Sequence, residues 1–266
     1  MFANAEFVAV SDIHLEHPGD DRGQVLLEVI DACITANVQC FALLGDIFDF
    51  CLGGTGYFSK KFAAVGERLE ALAASGTRVV FIEGNHEFDM IKMGWRGVEV
   101  VSESERERGM TWRSASGKKI LMTHGDLFYA PDSYLVFRKL IKSRPSLFAV
   151  SMIPGPLMDA YALRHARASR SRDPYRVINE GAILDDARKF AVEKEADHLL
   201  FGHFHIPWAE PLRDKTSEGS TESLMLCMNS WDKPNVLMFD GKTFHRGFAT
   251  GTGNPMTFSP ALIAQT

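Results

Sequence analysis

Five short polar motifs, each directly after an apolar run, contain the side chains of this sequence that are best suited to bind metal. Together they supply histidine, aspartate and asparagine, and no cysteine. This mixture suits a first-row divalent ion, with Mn expected first and Fe or Zn as alternatives, better than a structural zinc site or a calcium cage. The motifs are SDIH at 11–14, GDIFD at 45–49, GNHE at 84–87, THGD at 123–126 and GHFH at 202–205.

The spacing within the motifs indicates how their side chains converge. Asp12 and His14, like His203 and His205, are two residues apart, which places both members of a pair on one side of an extended segment. The motifs contain seven candidate ligands, more than one catalytic metal ion needs. A carboxylate shared by two ions about 3.5 to 4 Å apart accounts for the excess, and such paired ions serve in-line displacement at phosphorus.

The elements that must position these motifs alternate between strands and helices in the first half of the chain. Buried strands are predicted at 6–10, 38–44 and 77–82, and amphipathic helices at 24–37 and 59–75. This order predicts a mainly parallel sheet with right-handed crossovers, and the polar motifs follow the carboxyl ends of its strands.

The second half of the chain combines hairpins with a long helical stretch. A Ser-Gly pair at 116–117 and an Asp-Gly pair at 240–241 predict hairpin turns. The predicted strands are 110–113, 119–122, 198–201, 222–227, 235–240 and 243–248. We expect an α/β fold with two sheets or one mixed sheet: a single domain over 1–250, a helical cap insertion at about 133–195 and a loosely attached tail at 251–266.

The composition excludes several classes of protein. Of 266 residues, 45% are hydrophobic and 24% charged, which excludes disorder, collagen and a coiled coil. The net charge of -5 argues against a wholesale nucleic-acid binder, because phosphate affinity requires a basic domain. The four cysteines form no C-x-x-C pair and are expected to be buried reduced thiols.

The hydropathy pattern indicates the cellular location to expect for this protein. No cationic leader precedes the first apolar run, and no apolar run reaches the length of about 18 to 20 residues that spans a bilayer. We therefore expect a cytoplasmic protein without an integral membrane segment, and association with the inner face of a membrane stays open.

The five motifs, taken in order, resemble those of the calcineurin-like metallophosphoesterases. The similarity runs from residue 6 to about residue 206 and includes Asp12-x-His14, Gly45-Asp46-x-x-Asp49, Gly84-Asn85-His86-Glu87, His124 and Gly202-His203-x-His205. The resemblance implies a four-layer α/β/β/α sandwich with a dinuclear metal site at the sheet edges. It also implies hydrolysis of a phosphoester by activated water, without a covalent enzyme intermediate.

The same resemblance assigns roles to single residues. It implies that one ion is held by Asp12, His14, Asp46 and His205, and the other by Asp46, Asn85, His124 and His203. Asp46 is then the bridge between them. His86 would donate to a phosphate oxygen or protonate the leaving group, and Asp49 would orient His86.

Charge is distributed unevenly along the chain. Residues 138–176 contain nine basic and two acidic side chains, a net charge of +7 that leaves -12 for the rest. The same segment holds an apolar, Met-rich run at 147–161. Together these features suit an amphiphilic anion, with acyl chains on the apolar side and phosphates on arginines such as Arg164, Arg167 and Arg170. A surface of this kind would also rest on anionic lipid.

These features make the sequence similar to the UDP-2,3-diacylglucosamine hydrolases of lipid A synthesis, members of the same superfamily. The shared features are Gly-Asp-x-Phe at 45–48, His-Gly-Asp at 124–126, the run at 132–138 and Arg-Ala-Ser at 167–169. The similarity implies cleavage of the pyrophosphate of UDP-2,3-diacylglucosamine to UMP and a lipid monophosphate, with Asp132 in the substrate site. Those hydrolases usually have arginine after the metal-binding asparagine, where this sequence has His86, as the wider superfamily does.

Three other functions stay open on the sequence. The first is hydrolysis of a soluble nucleotide, a cyclic nucleotide or a phosphoprotein. The second is a catalytically inactive binding module of the same fold, against which the intact ligand set argues. The third, nucleic-acid cleavage, is disfavoured by the charge of -12 outside the basic segment.

Overall fold

The computed structural model of the chain describes residues 2–104, 108–172, 179–212, 223–248 and 257–261, with the backbone alone for 166–172 and 260. The strands are β1 Phe7–Val10, β2 Cys40–Leu43, β3 Cys51–Leu52, β4 Arg78–Ile82, β5 Glu87–Phe88, β6 Val98–Val101, β7 Met110–Arg113, β8 Lys119–Met122, β9 His198–Phe201, β10 Ala209–Pro211, β11 Leu224–Cys227, β12 Asn235–Phe239, β13 Phe244–Phe248 and β14 Thr257–Pro260. The helices are α1 Asp21–Ala36, α2 Gly56–Lys61, α3 Ala63–Ala74, α4 Asp132–Ile141, α5 Arg144–Ser151, α6 Gly155–Arg172 and α7 Glu180–Glu193.

Most strands belong to two sheets. The first has the order β14-β13-β12-β1-β2-β4-β6, with β1, β2, β4 and β6 parallel. The second has the order β10-β11-β9-β8-β7, in which β8, β9 and β11 are parallel. The sequence left two sheets or one mixed sheet open. The described residues form two large sheets, since the hairpin of β7 and β8 pairs with β9. A separate two-stranded sheet consists of β3 and β5.

Three apolar clusters explain why these layers stack. Residues of α1 and α3, such as Leu26, cluster with one face of the first sheet, including Val8. The opposite face, including Ala9, clusters with the second sheet. The other face of the second sheet clusters with α7, which contributes Phe190. The predicted four-layer α/β/β/α fold is thus confirmed, and all four cysteines lie buried and free, as expected.

Two helices replace the single one predicted at 59–75. The chain leaves the helical conformation at Phe62, between α2 and α3. The Phe62 ring is fully buried and lies 4.1 Å from the Phe48 ring, centroid to centroid. The apolar periodicity continues through this break, so the sequence pattern did not reveal it.

The predicted tail is wrong for its middle part. Thr257–Pro260 forms β14, which pairs antiparallel with β13 at the edge of the first sheet. Phe258 packs edge-on against Phe2, with ring centroids 5.8 Å apart, and lies over Gly247, which has no Cβ to obstruct it. The sequence Thr-Phe-Ser-Pro at 257–260 has one large apolar residue and ends in proline, so it carries no clear strand pattern. The rest of the predicted tail, apart from Ala261, lies outside the described residues.

Helices α4, α5 and α6 form a cap, whereas α7, at the end of the predicted insertion, belongs to the layers. The cap packs on the first cluster through Leu147, Val150 and Met158. It is also fastened to α2, because Asp159 accepts hydrogen bonds from Lys61 Nζ at 2.7 Å and Tyr57 Oη at 2.8 Å.

Candidate metal centre

The predicted metal ligands meet where strands of both sheets end. Asp12 and His14 follow β1, Asp46 follows β2, Asn85 follows β4, His124 follows β8, and His203 and His205 follow β9. Their ligand atoms form two groups, each within a span of 4.8 Å: Asp12 with His14 and His205, and Asp46 with His124 and His203. The tertiary fold therefore brings together residues up to 193 positions apart in two clusters, in the same partition as the resemblance implied.

The first cluster is compact and mostly buried. The Nε2 atoms of His14 and His205 lie 3.4 Å apart. Nε2 of His205 is 3.3 Å from Oδ1 of Asp12, which has no exposed surface. Two imidazole nitrogens and a carboxylate oxygen thus converge on one point, the donor set that a first-row divalent ion prefers.

The second cluster contains the amide as well. Nε2 of His124 lies 3.5 Å from Oδ2 of Asp46 and 3.2 Å from Oδ1 of Asn85. The rings of His124 and His203 are in edge contact, with centroids 5.2 Å apart. Asn85 can ligate through its oxygen without adding negative charge, which leaves such a site receptive to an anionic phosphate.

The tautomer of His124 fits a ring that binds metal through Nε2. Its Nδ1 lies 2.8 Å from the carbonyl oxygen of Leu44, and a carbonyl oxygen only accepts, so Nδ1 donates. Metal-binding histidines almost always donate their other ring N–H to such a group. The donor chemistry and this arrangement fit divalent metal ions in the centre.

Five of the seven predicted ligands have an unusual backbone. The φ angles lie between 51° and 70°, in the left-handed region, at Asp12, His14, Asp46, His203 and His205. A non-glycine residue in this region costs about 1–3 kcal/mol and persists only where the surroundings enforce it. Backbone strain is therefore concentrated in the ligand-bearing loops, just after the strands end.

A buried glutamate that sequence reasoning left without a role holds the Asp46 loop. The carboxylate of Glu87 accepts backbone N–H groups of Asp46, Ile47, Phe48 and Gly84, at 2.7 to 3.1 Å. Burial, together with the charge of Asp46, raises the pKa of Glu87 to about 7. Glu87 thus joins the loops after β2 and β4, and its signal in the sequence was a carboxylate within the GNHE motif.

Glu103 plays the same part for the loop after β8, and no sequence motif pointed to it. Its carboxylate accepts the backbone N–H of His124 at 2.9 Å and the hydroxyl of Thr123 at 2.7 Å. Glu103 is only 3% exposed. A buried carboxylate is stable only with such donors, so the hydrogen bonds of Glu103 fix the loop that carries His124.

Electrostatics in the cluster follow from burial and mutual contact. Burial lowers the pKa of His14 and of His203 to about 4, so both rings are neutral at pH 7 with a lone pair available for metal. Burial alone would raise the pKa of Asp46, but the adjoining His124 and His86 rings hold it well below its ordinary value. The carboxylate is therefore ionised, which the predicted bridging role of Asp46 requires.

His86 lies at the border of the cluster, with 29% of its side chain exposed. Its backbone N–H donates to Oδ1 of Asp46 at 3.0 Å, and its Nε2 lies 4.0 Å from Oδ2 of the same residue. Its Nδ1 is 2.7 Å from the backbone carbonyl oxygen of Asp49. The Asp49 carboxylate lies 3.6 Å from Nδ1 of His14. The possible ligand atoms of His14, Asp49 and His86 form a further group, all within 4.8 Å of one another.

The predicted substrate residues lie on the cap. Asp132 is exposed at the first position of α4, and Arg164 is exposed on α6. Arg167 and Arg170 belong to α6, but their side chains lie outside the described residues. Their roles stay predictions.

The chain is similar to known proteins in sequence and in fold. Residues 5–207 match the family model described as Calcineurin-like phosphoesterase. The sequence is 24% identical over 207 residues to a UDP-2,3-diacylglucosamine hydrolase of Neisseria gonorrhoeae, covering 74% of this chain and 80% of the relative. It is 26% identical over 220 residues to one of Chromobacterium violaceum, covering 78% and 86%. The solved structure of Vacuolar Protein Sorting 29 from Cryptosporidium parvum aligns with a TM-score of 0.46 and 10% identity over 98% of each chain.

The fold and the clustered ligands define the class of the protein as a metal-dependent phosphoesterase. The chain belongs to the calcineurin-like phosphoesterase family, whose model covers more than two thirds of it.

Proposed function

We propose that this protein hydrolyses the pyrophosphate of UDP-2,3-diacylglucosamine to UMP and a lipid monophosphate, with two divalent ions, Mn before Fe or Zn. The relatives that carry this name support the proposal, and at 24–26% identity they leave the substrate to be tested. The observation that carries it is a group of exposed apolar side chains on the cap, whose helix α4 contacts the metal-binding loops through other residues.

That apolar surface is concentrated on three consecutive helices, α4 to α6, and the turn between the last two. In the part of the chain that the structure describes, eleven large hydrophobic side chains are exposed, and eight of them lie between 136 and 161. The eight are Val136, Phe137, Leu140, Phe148, Met152, Ile153, Leu157 and Tyr161. Exposed cations accompany them at Lys139, Arg144 and Arg164. Grouped apolar side chains with cations beside them suit acyl chains linked to phosphates.

The reaction needs a water molecule, a positioned phosphate and a proton for the leaving group. Divalent ions, when bound, would polarise the phosphoryl oxygens and promote attack by water. Asp46, which belongs to the second cluster, would hold both ions as the family resemblance implies, and neutral Asn85 would limit the negative charge that faces the substrate. Nδ1 of His86 donates to a carbonyl oxygen, so Nε2 is the ring atom left for the substrate. With a proton on Nε2 as well, the imidazolium form of His86 would donate to a phosphate oxygen or to the leaving-group oxygen.

The same surface leads us to infer a cytoplasmic protein that associates peripherally with an anionic membrane. Among the described residues, no single helix has both the length and the hydropathy to cross a bilayer. The pair Arg144–Ser151 and Gly155–His165 reaches both together, but it is bent by 113° at the break. Apolar side chains flanked by cations are typical of segments that lie in the membrane interface.

The experiment measures UMP release from UDP-2,3-diacylglucosamine in mixed micelles with Mn²⁺, alongside hydrolysis of the small substrate bis(p-nitrophenyl) phosphate. A Leu140→Ser/Phe148→Ser variant should lose at least tenfold in UMP release and keep the small-substrate rate. Val192→Ser is the matched control, because Val192 is 50% exposed and lies on α7, which packs on the second sheet and is not part of the cap. Absence of UMP release by the wild type would refute the proposed substrate.

A second candidate, hydrolysis of a soluble phosphoester, is favoured by His86, which stands where the lipid-specific hydrolases usually have arginine. The charge-neutralising change Arg164→Gln separates the two. It should weaken UMP release from the lipid substrate, whereas a soluble nucleotide that bypasses the cap should be hydrolysed at the wild-type rate.

A further inference from the structure

Helix α4 buries its polar face and exposes its apolar face, the reverse of the usual surface helix. Tyr134 and Arg138 lie on its inner side and Lys142 caps its C-terminal end, each four residues from the next, so they share one face. Arg138 is 6% exposed and the Lys142 side chain 12%. On the other side, Phe137 and Leu140 are 55% and 63% exposed. The polar face therefore points into the protein, and its contacts explain why.

Two of these residues bind the loop after β8. Arg138 Nε and Tyr134 Oη donate to Oδ2 of Asp126, at 2.6 and 2.8 Å. Arg138 Nη1 also donates to the backbone carbonyl of Glu103 at 2.8 Å. Asp126 is two residues after His124, and Glu103 is the carboxylate that holds the His124 backbone N–H. Both contacts thus end next to His124.

The third residue binds the loop after β4. Nζ of Lys142 donates to the carbonyl oxygen of Gly84 at 2.7 Å and lies 3.5 Å from Oε2 of Glu83. Gly84 directly precedes Asn85. Removal of the ammonium group would leave a buried carbonyl and a buried carboxylate short of a donor, which costs free energy and loosens the loop.

We propose that Tyr134, Arg138 and Lys142 are positioning residues for one of the two metal sites, the one that contains Asn85 and His124. This inference rests on the proposed dinuclear centre. In the described part of the chain, the side chains of α4 and of Lys142 donate their hydrogen bonds to groups beside those two ligands. Through α4, the cap is thus part of the support of the second metal site. Among the described residues, no side-chain hydrogen bond of α4 or Lys142 ends beside the first site, built on Asp12, His14 and His205, so that site should not depend on them.

The test titrates Mn²⁺ into metal-free protein by calorimetry and counts bound Mn per chain by elemental analysis. Wild type should bind two ions, which tests the dinuclear centre by itself. Each site is then isolated, with His14→Ala leaving the second and His124→Ala leaving the first. Lys142→Met should weaken Mn²⁺ binding about 10- to 100-fold in the His14→Ala background. In the His124→Ala background it should change binding less than threefold.

Two further variants make the result specific. Lys139→Met removes an exposed cation of the same helix and should leave both backgrounds unchanged, and Lys142→Arg should restore most of the affinity. Tyr134→Phe removes one hydroxyl with little risk to folding and should weaken the second site about threefold to tenfold. Equal Mn²⁺ affinity of Tyr134→Phe and Lys142→Met with their parents in the His14→Ala background, or an equal loss in both backgrounds, would overturn the inference. If Lys142→Met does not fold, as judged by circular dichroism, Tyr134→Phe alone decides.

Discussion

His86 is held by the main chain of Asp49, since Nδ1 of its ring donates to the Asp49 carbonyl oxygen over 2.7 Å. The Asp49 carboxylate lies beside a different ring, 3.6 Å from Nδ1 of His14. One residue of the loop after β2 thereby contacts both the ring expected to act on substrate and a ring expected to bind metal. The resemblance implied that Asp49 orients His86. The carbonyl oxygen of Asp49 accepts from that ring, and its carboxylate lies within 4.8 Å of both rings, so main chain and carboxylate can be tested apart.

Asp49→Asn tests this separation. The variant keeps the carbonyl group that holds His86 and removes the charge beside His14. We expect about a tenfold loss of Mn²⁺ affinity at the site of His14, because partners of metal ligands usually contribute this much. At saturating Mn²⁺, kcat should stay within about threefold of wild type. A hundredfold lower kcat with unchanged Mn²⁺ affinity would assign the carboxylate to His86 instead.

His86→Ala should lower kcat about 10²- to 10⁴-fold, the usual contribution of a positioned proton donor. Bound Mn per chain should stay at the wild-type value, and exposed His17 changed to alanine is the control. Comparison of leaving groups distinguishes the two roles. p-Nitrophenolate needs no proton, so a smaller loss with bis(p-nitrophenyl) phosphate than with the lipid substrate indicates leaving-group protonation. Equal losses indicate donation to a phosphate oxygen, and no loss with either contradicts both roles.

Gly84→Ala should disturb Asp46 directly. A Cβ at Gly84 would lie 2.2 Å from Oδ1 and 2.5 Å from the backbone N of Asp46, so the loop must shift. We expect a loss of about 1–3 kcal/mol in the free energy of unfolding and at least tenfold weaker Mn²⁺ binding. Gly56→Ala is the control, since its Cβ meets nothing within 4 Å. Urea unfolding and Mn²⁺ titration of the two variants provide the comparison, and similar values for both would count against the predicted bridge geometry.

His198 predicts a pH effect on stability outside the metal centre. It is 2% exposed, its Nδ1 accepts the Leu224 N–H at 3.2 Å, and burial lowers its pKa from 6.5 to about 4. In the unfolded chain this imidazole therefore binds a proton below about pH 6.5, whereas in the folded chain it binds one only below about pH 4. Stability is complete above pH 6.5 and falls as the pH drops towards 4, by at most about 3 kcal/mol from this group.

His198→Asn is the matching variant, because its amide oxygen replaces Nδ1 as an acceptor and does not titrate. The measurement is the urea midpoint of metal-free protein between pH 4.5 and 7.5. The variant loses ring packing at every pH, but its profile should be flatter than that of wild type below pH 6.5. Parallel profiles would show that His198 does not contribute to the acid sensitivity.

Some features were predictable because they depend on local pattern. Buried runs such as β1 and β4 were recognised from their continuous hydrophobicity, and the Asp240-Gly241 turn from its residue types. The break at Phe62 and the strand Thr257–Pro260 were missed, since both depend on distant contacts, with Phe48 and with β13. Glu103 was missed for the same reason, as its partners His124 and Thr123 are about 20 residues away.

The sequence by itself determined the chemical types of the metal-binding side chains and their order after apolar strands, and with them the family. Residue type and strand position are local properties, so they can be predicted from the linear sequence. Only the tertiary structure decided that Asp49 lies beside His14, that Glu87 holds the Asp46 loop, and that α4 turns its apolar side outward. Helical periodicity defines two faces of a helix but not which of them is covered, because that depends on what the rest of the chain packs against it.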